Sequence, residues 1–188
     1  MRIVAGKFRG KALTSPSDDS IRPTADRVRE SMFNILSSRL GPVFADKKVL
    51  DLFAGTGALG LEALSRGAAH VTFVDVGAES RALIRDHIQD FGVAGITKLL
   101  RRDATGLGAP GSFGQFDLVF LDPPYGQGLG EKALVELAGH GWLKPGATLV
   151  WEESVDAPVS VPAGFVLEDE REYGAAAVRF LSFGSEGE

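Results

Sequence analysis

"KVLDLFAGTGALGLEALSRG", residues 48–67, decides the fold of this chain. "KVLDLF" (48–53) reads as a short apolar strand, and "ALGLEALSRG" (58–67) as a helix closed by Gly67. Between them stands Gly55-x-Gly57-x-x-Gly60. Glycines at this spacing allow a tight turn and a close backbone approach to a ligand at the first crossover of an open α/β sheet.

The alternation continues outward from that turn. "HVTFVDV" (70–76), "ITKLLRRD" (96–103), "FDLVFLD" (116–122) and "ATLVWEE" (147–153) read as strands, with Gly146 marking a turn before the last. Helices are expected over 78–92, where Leu83, Ile84, His87, Ile88 and Phe91 share one face, and over 130–139. Such alternation implies a parallel sheet with helices on both faces. "FVLEDERE" (165–172) and "AAAVRFLSF" (175–183) break the rhythm as a hairpin around Tyr173-Gly174. The expected fold is therefore α/β, with seven strands, mostly parallel and ending in an antiparallel hairpin.

Two elements precede the sheet. "RIVAGKFRGKAL" (2–13) alternates loosely and contains turn glycines, so a small β-hairpin is expected. "RPTADRVRESMFNILSSRL" reads as a helix with Thr24 as N-cap and a stripe of Val28, Met32, Phe33, Ile35 and Leu36. Arg27 and Arg29 fall off that stripe and are expected to face a partner. Length suits one domain over 1–188, with a basic extension at 1–38 and a cofactor-binding and catalytic core at 48–183.

Composition narrows the function classes. With no cysteine in the chain there is no disulfide framework, thiolate nucleophile or cysteine zinc site. His70, His87 and His140 have no metal-ligand spacing, so no metal is expected, and Trp142 and Trp151 are expected to pack. The apolar runs fall short of a membrane span, and "MRIVAGKFRG" lacks the apolar centre of a signal peptide. A cytoplasmic, monomeric protein is the expectation. The net charge of −5 disfavours a general nucleic-acid binder, but residues 1–29 hold seven Lys/Arg against three Asp. That segment is thus +4 on a body of −9, a pattern that suggests a basic RNA-binding arm.

The glycine loop alone suits a nicotinamide dinucleotide and S-adenosylmethionine equally, and Asp75 suits a ribose in either. Three details favour S-adenosylmethionine. Asp51 lies inside the strand, where a buried carboxylate needs a partner such as the amino group of a methionine moiety. Asp103 closes the third strand, where it can meet an adenine amine. "WLKPGATLV" (142–150) resembles the helix–turn–strand connection of Rossmann-like methyltransferases.

"LDPPY" ends the fourth strand, beside the other strand ends of a doubly wound sheet. An exocyclic nucleobase amine is a poor nucleophile because its lone pair is delocalised into the ring. The Asp122 carboxylate and the Pro123 carbonyl can hold its hydrogens and aim the lone pair, while Pro123 and Pro124 stiffen the turn. Tyr125 offers a stacking face for an extruded base, worth roughly 1–3 kcal/mol. The cluster reads as a clamp for a planar amine.

"MRIVAGKFRGKAL", "RPTADRVRESMFNIL", "LDLFAGTGALGLEALSRGA" and "LDPPY", in this order, closely resemble the bacterial small-subunit ribosomal RNA guanine-N2 methyltransferase family. The resemblance runs from Arg2 to about Phe183. It implies a Rossmann-like class I methyltransferase fold, S-adenosylmethionine as donor, and a guanine N2 amine of 16S rRNA, free or in a small-subunit assembly, as acceptor. It also implies roles for residues. Asp51, Phe53, Gly55 and Gly57 belong to the donor loop, Asp75 and Val76 to the ribose side, Asp103 and Ala104 to the adenine side, and Asp122–Tyr125 to the catalytic motif. Lys7, Arg9, Lys11, Arg22, Arg27 and Arg29 are the candidate RNA contacts.

Two other readings remain. A DNA adenine-N6 methyltransferase uses the same tetrapeptide but needs a target-recognition domain for which 188 residues leave little room. A silent RNA-binding module of the same fold would not need Asp51, Asp122 and Tyr125.

Overall fold

A computed structural model of the chain describes residues 1–17, 25–41 and 44–184. Helix α1 (Asp26–Leu40) precedes β1 (Lys48–Leu52), α2 (Ala58–Ser65), β2 (His70–Val74), α3 (Ala78–Phe91), β3 (Thr97–Leu100), β4 (Phe116–Leu121), α4 (Leu129–Gly139), β5 (Leu143–Ser154), β6 (Phe165–Tyr173) and β7 (Ala176–Phe183). The seven strands form one sheet in the order β3-β2-β1-β4-β5-β7-β6. Strands β1 to β5 pair in parallel, while β7 runs antiparallel between β5 and β6. The sheet is the expected one, terminal hairpin included.

Side chains alternate across the sheet. Val49, Phe73, Leu118 and Phe120 share one core with α1, α2 and α3 through Phe33, Leu61 and Ile84. Leu50, Leu52, Val119, Leu121 and Trp151 share the other with α4 through Ala133, Leu134 and Leu137. Trp142 packs there too, stacked on Phe116. Asp51 pairs with Phe73 of β2 on one side and Phe120 of β4 on the other. The register also aligns Leu52 with Val74 and Leu121, so the loops leaving β1, β2 and β4 emerge together.

Several boundaries differ from the sequence reading. Strand β3 stops at Leu100, leaving Arg101–Asp103 outside the sheet. Strand β5 begins at Leu143 because its pairing with β4 resumes after a bulge containing Gly146, at φ +79°. The hairpin loop lies one residue later, at Gly174-Ala175, since Tyr173 pairs with Ala176. The N-terminal hairpin is reduced to one bridge, Arg2 with Ala12, supported by the Ile3 and Gly10 amides on the Lys11 and Ile3 carbonyls. The N-cap of α1 is Ala25, with no side-chain capping bond, and not the expected Thr24, which lies outside the described residues.

The stripe of α1 requires a larger correction. Its buried residues are Arg29, Met32, Phe33 and Leu36, so Arg29 occupies the core-facing row expected to be apolar. The arginine is fully buried because a buried acid meets it: Arg29 Nε lies 3.7 Å from Glu62 Oε2 on α2. Its Nη2 donates to Asp26 Oδ1 at 3.0 Å and to the Arg2 carbonyl. Glu62 also accepts the Val4 and Ala5 amides at 3.0 and 3.1 Å and pairs with Arg66 at 3.1 Å. One buried carboxylate thus ties the N-terminal segment, α1 and α2 together.

Candidate active site

The loops leaving β1, β2 and β4 enclose a cavity of about 560 Å³. Asp51, Phe53, Gly55, Asp75, Val76 and the whole of Asp122–Tyr125 line it. A second, shallower depression of about 460 Å³ lies between α1 and Arg171, away from the strand ends and from every one of these groups.

Each glycine of the loop has its own reason. Gly55, at φ +59°, donates its amide to Asp75 Oδ2 at 2.9 Å. Gly57, at φ +80°, caps α2. At Gly60 a β-carbon would stand 2.5 Å from Phe73 Cε1 and 2.8 Å from Val71 Cγ1, so only glycine lets α2 lie on β2. Phe53 also adopts a positive φ, +55°, a conformation that costs a non-glycine residue of order 1 kcal/mol and is held by the turn.

Asp51 sits 1 % exposed at the base of the cavity and accepts the Gly60 amide at 3.0 Å. Burial pushes its carboxyl up to about 8, aided by the negative charge of Asp75 and opposed by the Gly60 amide. A buried acid with no cation beside it protonates, whereas an ammonium group in the cavity would let it ionise. Asp75 accepts Gly55 N on one oxygen and Gly77 N, at 2.7 Å, on the other, which orients its remaining lone pairs at the cavity wall. Val76 is 62 % exposed, an apolar ledge over the cavity. A buried carboxylate for an ammonium, a second for hydroxyls and an apolar ledge for a ring fit the methionine, ribose and adenine parts of S-adenosylmethionine.

Asp103 and Ala104 are not part of the cavity wall. Asp103 is exposed past the end of β3, and hydrogen bonds from the Thr105 hydroxyl and amide hold its carboxyl below the usual range. Ala104 is buried in the core on the α4 side.

In the tetrapeptide, Pro123 is buried, Pro124 exposed and Asp122 half-buried. The Tyr125 hydroxyl donates to Glu152 Oε1 at 2.6 Å, and the Gly126 amide to Glu153 Oε1 at 3.0 Å. Sequence reasoning missed both glutamates. The available signal was two adjacent acids ending the apolar run "TLVW". It also missed His87, whose Nε2 accepts the Thr14 amide at 2.9 Å while Nδ1 faces the Thr56 carbonyl at 2.9 Å. Because Nε2 accepts, Nδ1 carries the proton and donates to Thr56 in the glycine loop. Ser17 donates its amide and its hydroxyl to Glu79, a residue of the cavity wall.

The candidate RNA contacts separate into groups. Lys7, Arg9 and Arg27 are exposed. Lys11 is half-buried, bonded to the Asp90 carbonyl and 4.6 Å from the centre of the Phe91 ring. Arg29 is inside the protein and cannot reach a partner, which corrects the expectation above. Arg22 lies outside the described residues. Among the described residues no group of His, Asp and Glu could hold a metal ion, and no helix is long and apolar enough to cross a membrane.

The family described as Conserved hypothetical protein 95 matches residues 1–182. The chain belongs to this family. It is 38% identical over 195 residues to ribosomal RNA small subunit methyltransferase D of Escherichia coli K12, a match spanning 100% of this chain and 92% of the relative. The protein of the same name from Haemophilus influenzae is 35% identical over 181 residues, covering 95% of this chain and 92% of its own. The solved structure of Escherichia coli yhhF superposes with a TM-score of 0.83 at 34% identity over 99% of both chains. The fold is that of Rossmann-like class I methyltransferases, closed by an antiparallel hairpin.

Proposed function

We propose that this chain is an S-adenosylmethionine-dependent rRNA methyltransferase that acts on the exocyclic N2 amine of a guanine in 16S rRNA. The observation that carries the reading is one cavity holding both halves of such a reaction: Asp51 and Asp75 on the glycine-loop side, and Asp122–Tyr125 on the other. The names of the relatives, small-subunit rRNA methyltransferases at 38 and 35% identity, support the substrate class.

S-adenosylmethionine, when bound, supplies an electrophilic methyl on a sulfonium. Asp51 would hold its ammonium, Asp75 its ribose hydroxyls, and Val76 a face of its adenine. Asp103 is proposed as an additional contact to the adenine amine. The other work belongs to the tetrapeptide. Asp122 and the Pro123 carbonyl accept the two amine hydrogens, which turns the nitrogen lone pair out of conjugation and toward the donor side. Tyr125 stacks the base and fixes its plane. Catalysis is then mainly alignment of an in-line transfer, in which the nitrogen–methyl bond forms as the sulfur–methyl bond breaks. The Asp122 carboxylate stabilises the charge that grows on the amine until the surplus proton leaves to that carboxylate or to solvent. Lys7, Arg9 and Arg27, all exposed, are the proposed contacts to RNA phosphates.

Tritium transfer from labelled S-adenosylmethionine tests the reading. Label in 16S rRNA or small-subunit particles, recovered as N2-methylguanine after digestion, is the expected result. Label in duplex DNA as N6-methyladenine would replace the reading with the DNA one, and label in neither would leave a binding module.

A further inference from the structure

We propose that Glu152 is a positioning residue: it holds the Tyr125 ring at the angle needed to receive the target base, while Glu153 anchors the turn behind it. The inference rests on the stacking role given to Tyr125 above.

Leu121 pairs with Trp151, so the turn that follows β4 lies over the next residues of β5. Successive residues of β5 point to opposite faces. Val150 belongs to the core shared with α1–α3 and Trp151 to the core shared with α4. Glu152 and Glu153 therefore leave the strand on opposite sides, and each reaches the same turn. Glu152 takes the Tyr125 hydroxyl at 2.6 Å; Glu153 takes the Gly126 amide at 3.0 Å and the Ser154 amide at 2.7 Å. The turn is clipped over the end of β5 from both faces.

Both carboxylates are nearly inaccessible, at 8 and 2 % exposure. Two buried acids at one strand end are costly unless their hydrogen bonds have a use. A short bond to a carboxylate is among the stronger hydrogen bonds of a protein. For a tyrosine it fixes the far end of the ring, and the backbone fixes the near end. Holding both ends fixes the ring axis. Because the phenolic O–H bond prefers the ring plane, an acceptor held to one side of that axis also sets the plane, which is what a stacking plate needs for a base that must be aligned to a fraction of an ångström. The phenolic hydroxyl, superfluous for stacking itself, acquires this function.

The chain has two tyrosines, Tyr125 and Tyr173, so a ¹³C-tyrosine spectrum reports on the Tyr125 ring once Tyr173→Phe has assigned the other. In the native protein the Tyr125 ring resonances should be those of a held ring. Glu152→Ala should give averaged ring resonances, and Glu152→Gln, which keeps an acceptor, should restore the held pattern. That measurement needs no substrate, so it remains decisive even if the rRNA reading fails. With the ribosomal substrate, Glu152→Ala should lower kcat roughly tenfold, the loss of one strong hydrogen bond. Donor affinity should not move, and Glu152→Gln should recover most of the rate. Tyr125→Phe should match Glu152→Ala, and the double variant should be no worse than either single one. Unchanged ring resonances in Glu152→Ala, or losses that multiply in the double variant, would overturn the proposal. Should Glu152→Ala not fold, Glu152→Met, which fills the same space without an acceptor, takes its place in every arm of the cycle.

Discussion

Asp51 Oδ2 accepts the Gly60 amide at 3.0 Å, which joins the middle of β1 to the first turns of α2 beneath the donor cavity. The contact is close because Gly60 has no side chain, and a β-carbon there would also stand 3.1 Å from that same oxygen. A carboxylate and a glycine thus share one small space. Charge state, packing and cofactor capture are coupled at this point.

The charge state can be read through pH. Burial raises Asp51 from 3.8 to about 8, so between those values the native protein holds a proton that the unfolded chain has released. Stability contributed at this site falls as pH rises from about 4 toward 8. Asp51→Asn should remove that dependence and gain at least about 1 kcal/mol at pH 8 relative to pH 5. The check is urea unfolding of both proteins across that range. Capture of the donor ammonium reverses the sign, since it favours the ionised acid. Calorimetry at pH 7 in buffers of different ionisation enthalpy should show proton release on S-adenosylmethionine binding, and observed heats that do not vary with the buffer would count against Asp51 as the ammonium partner.

The packing can be read through glycine. Gly60→Ala should destabilise by roughly 1–3 kcal/mol, because Phe73 and Val71 cannot both yield inside a filled core. Gly95→Ala, with nothing within 4 Å of its β-carbon, is the control and should unfold at the native urea midpoint.

Asp75→Ala should weaken S-adenosylmethionine binding by roughly 1–3 kcal/mol, through loss of a charged acceptor for the ribose and of the two amide bonds that shape the loop. Equilibrium dialysis with labelled donor measures this directly, and undiminished affinity would remove Asp75 from the site.

Asp122→Ala should abolish most turnover while leaving donor affinity nearly unchanged, since its partner is the target amine. Single-turnover kinetics beside donor titration separates the two quantities, and a parallel loss of donor binding would contradict the assignment.

The arginines of α1 should behave oppositely. Replacing Lys7, Arg9 and Arg27 together by Ala should flatten the salt dependence of RNA binding by about two units, at about 0.7 per phosphate contact on single strands. Arg29→Ala should instead cost roughly 1–3 kcal/mol of folding stability, because it removes one of the two guanidinium partners of buried Glu62 and empties a packed site in the core. Filter binding across a salt series and thermal unfolding distinguish the two, and a salt slope unchanged in the triple variant would end the RNA-binding assignment of the N-terminal segment.

What the sequence by itself determined was whatever follows from local pattern. The strand–glycine–helix run at 48–67, the alternation after it and the hairpin around Gly174 specify a mostly parallel sheet that ends in an antiparallel hairpin, because hydrophobic period and turn chemistry are local properties. The same locality makes Asp51, Asp75 and Asp122 legible, since each follows or interrupts a recognisable strand, and strand ends meet in this topology. Tertiary structure decided the partners of charges. Arg29 lies three residues before Met32 and looks like a surface cation until Glu62 is placed opposite it by the docking of α1 on α2. Glu152 and Glu153 look like a solvated strand end until β4 and β5 pair in register and bring Tyr125 and Gly126 onto them. Burial of a charge depends on where a distant opposite group lands, and no window of neighbouring residues contains that information.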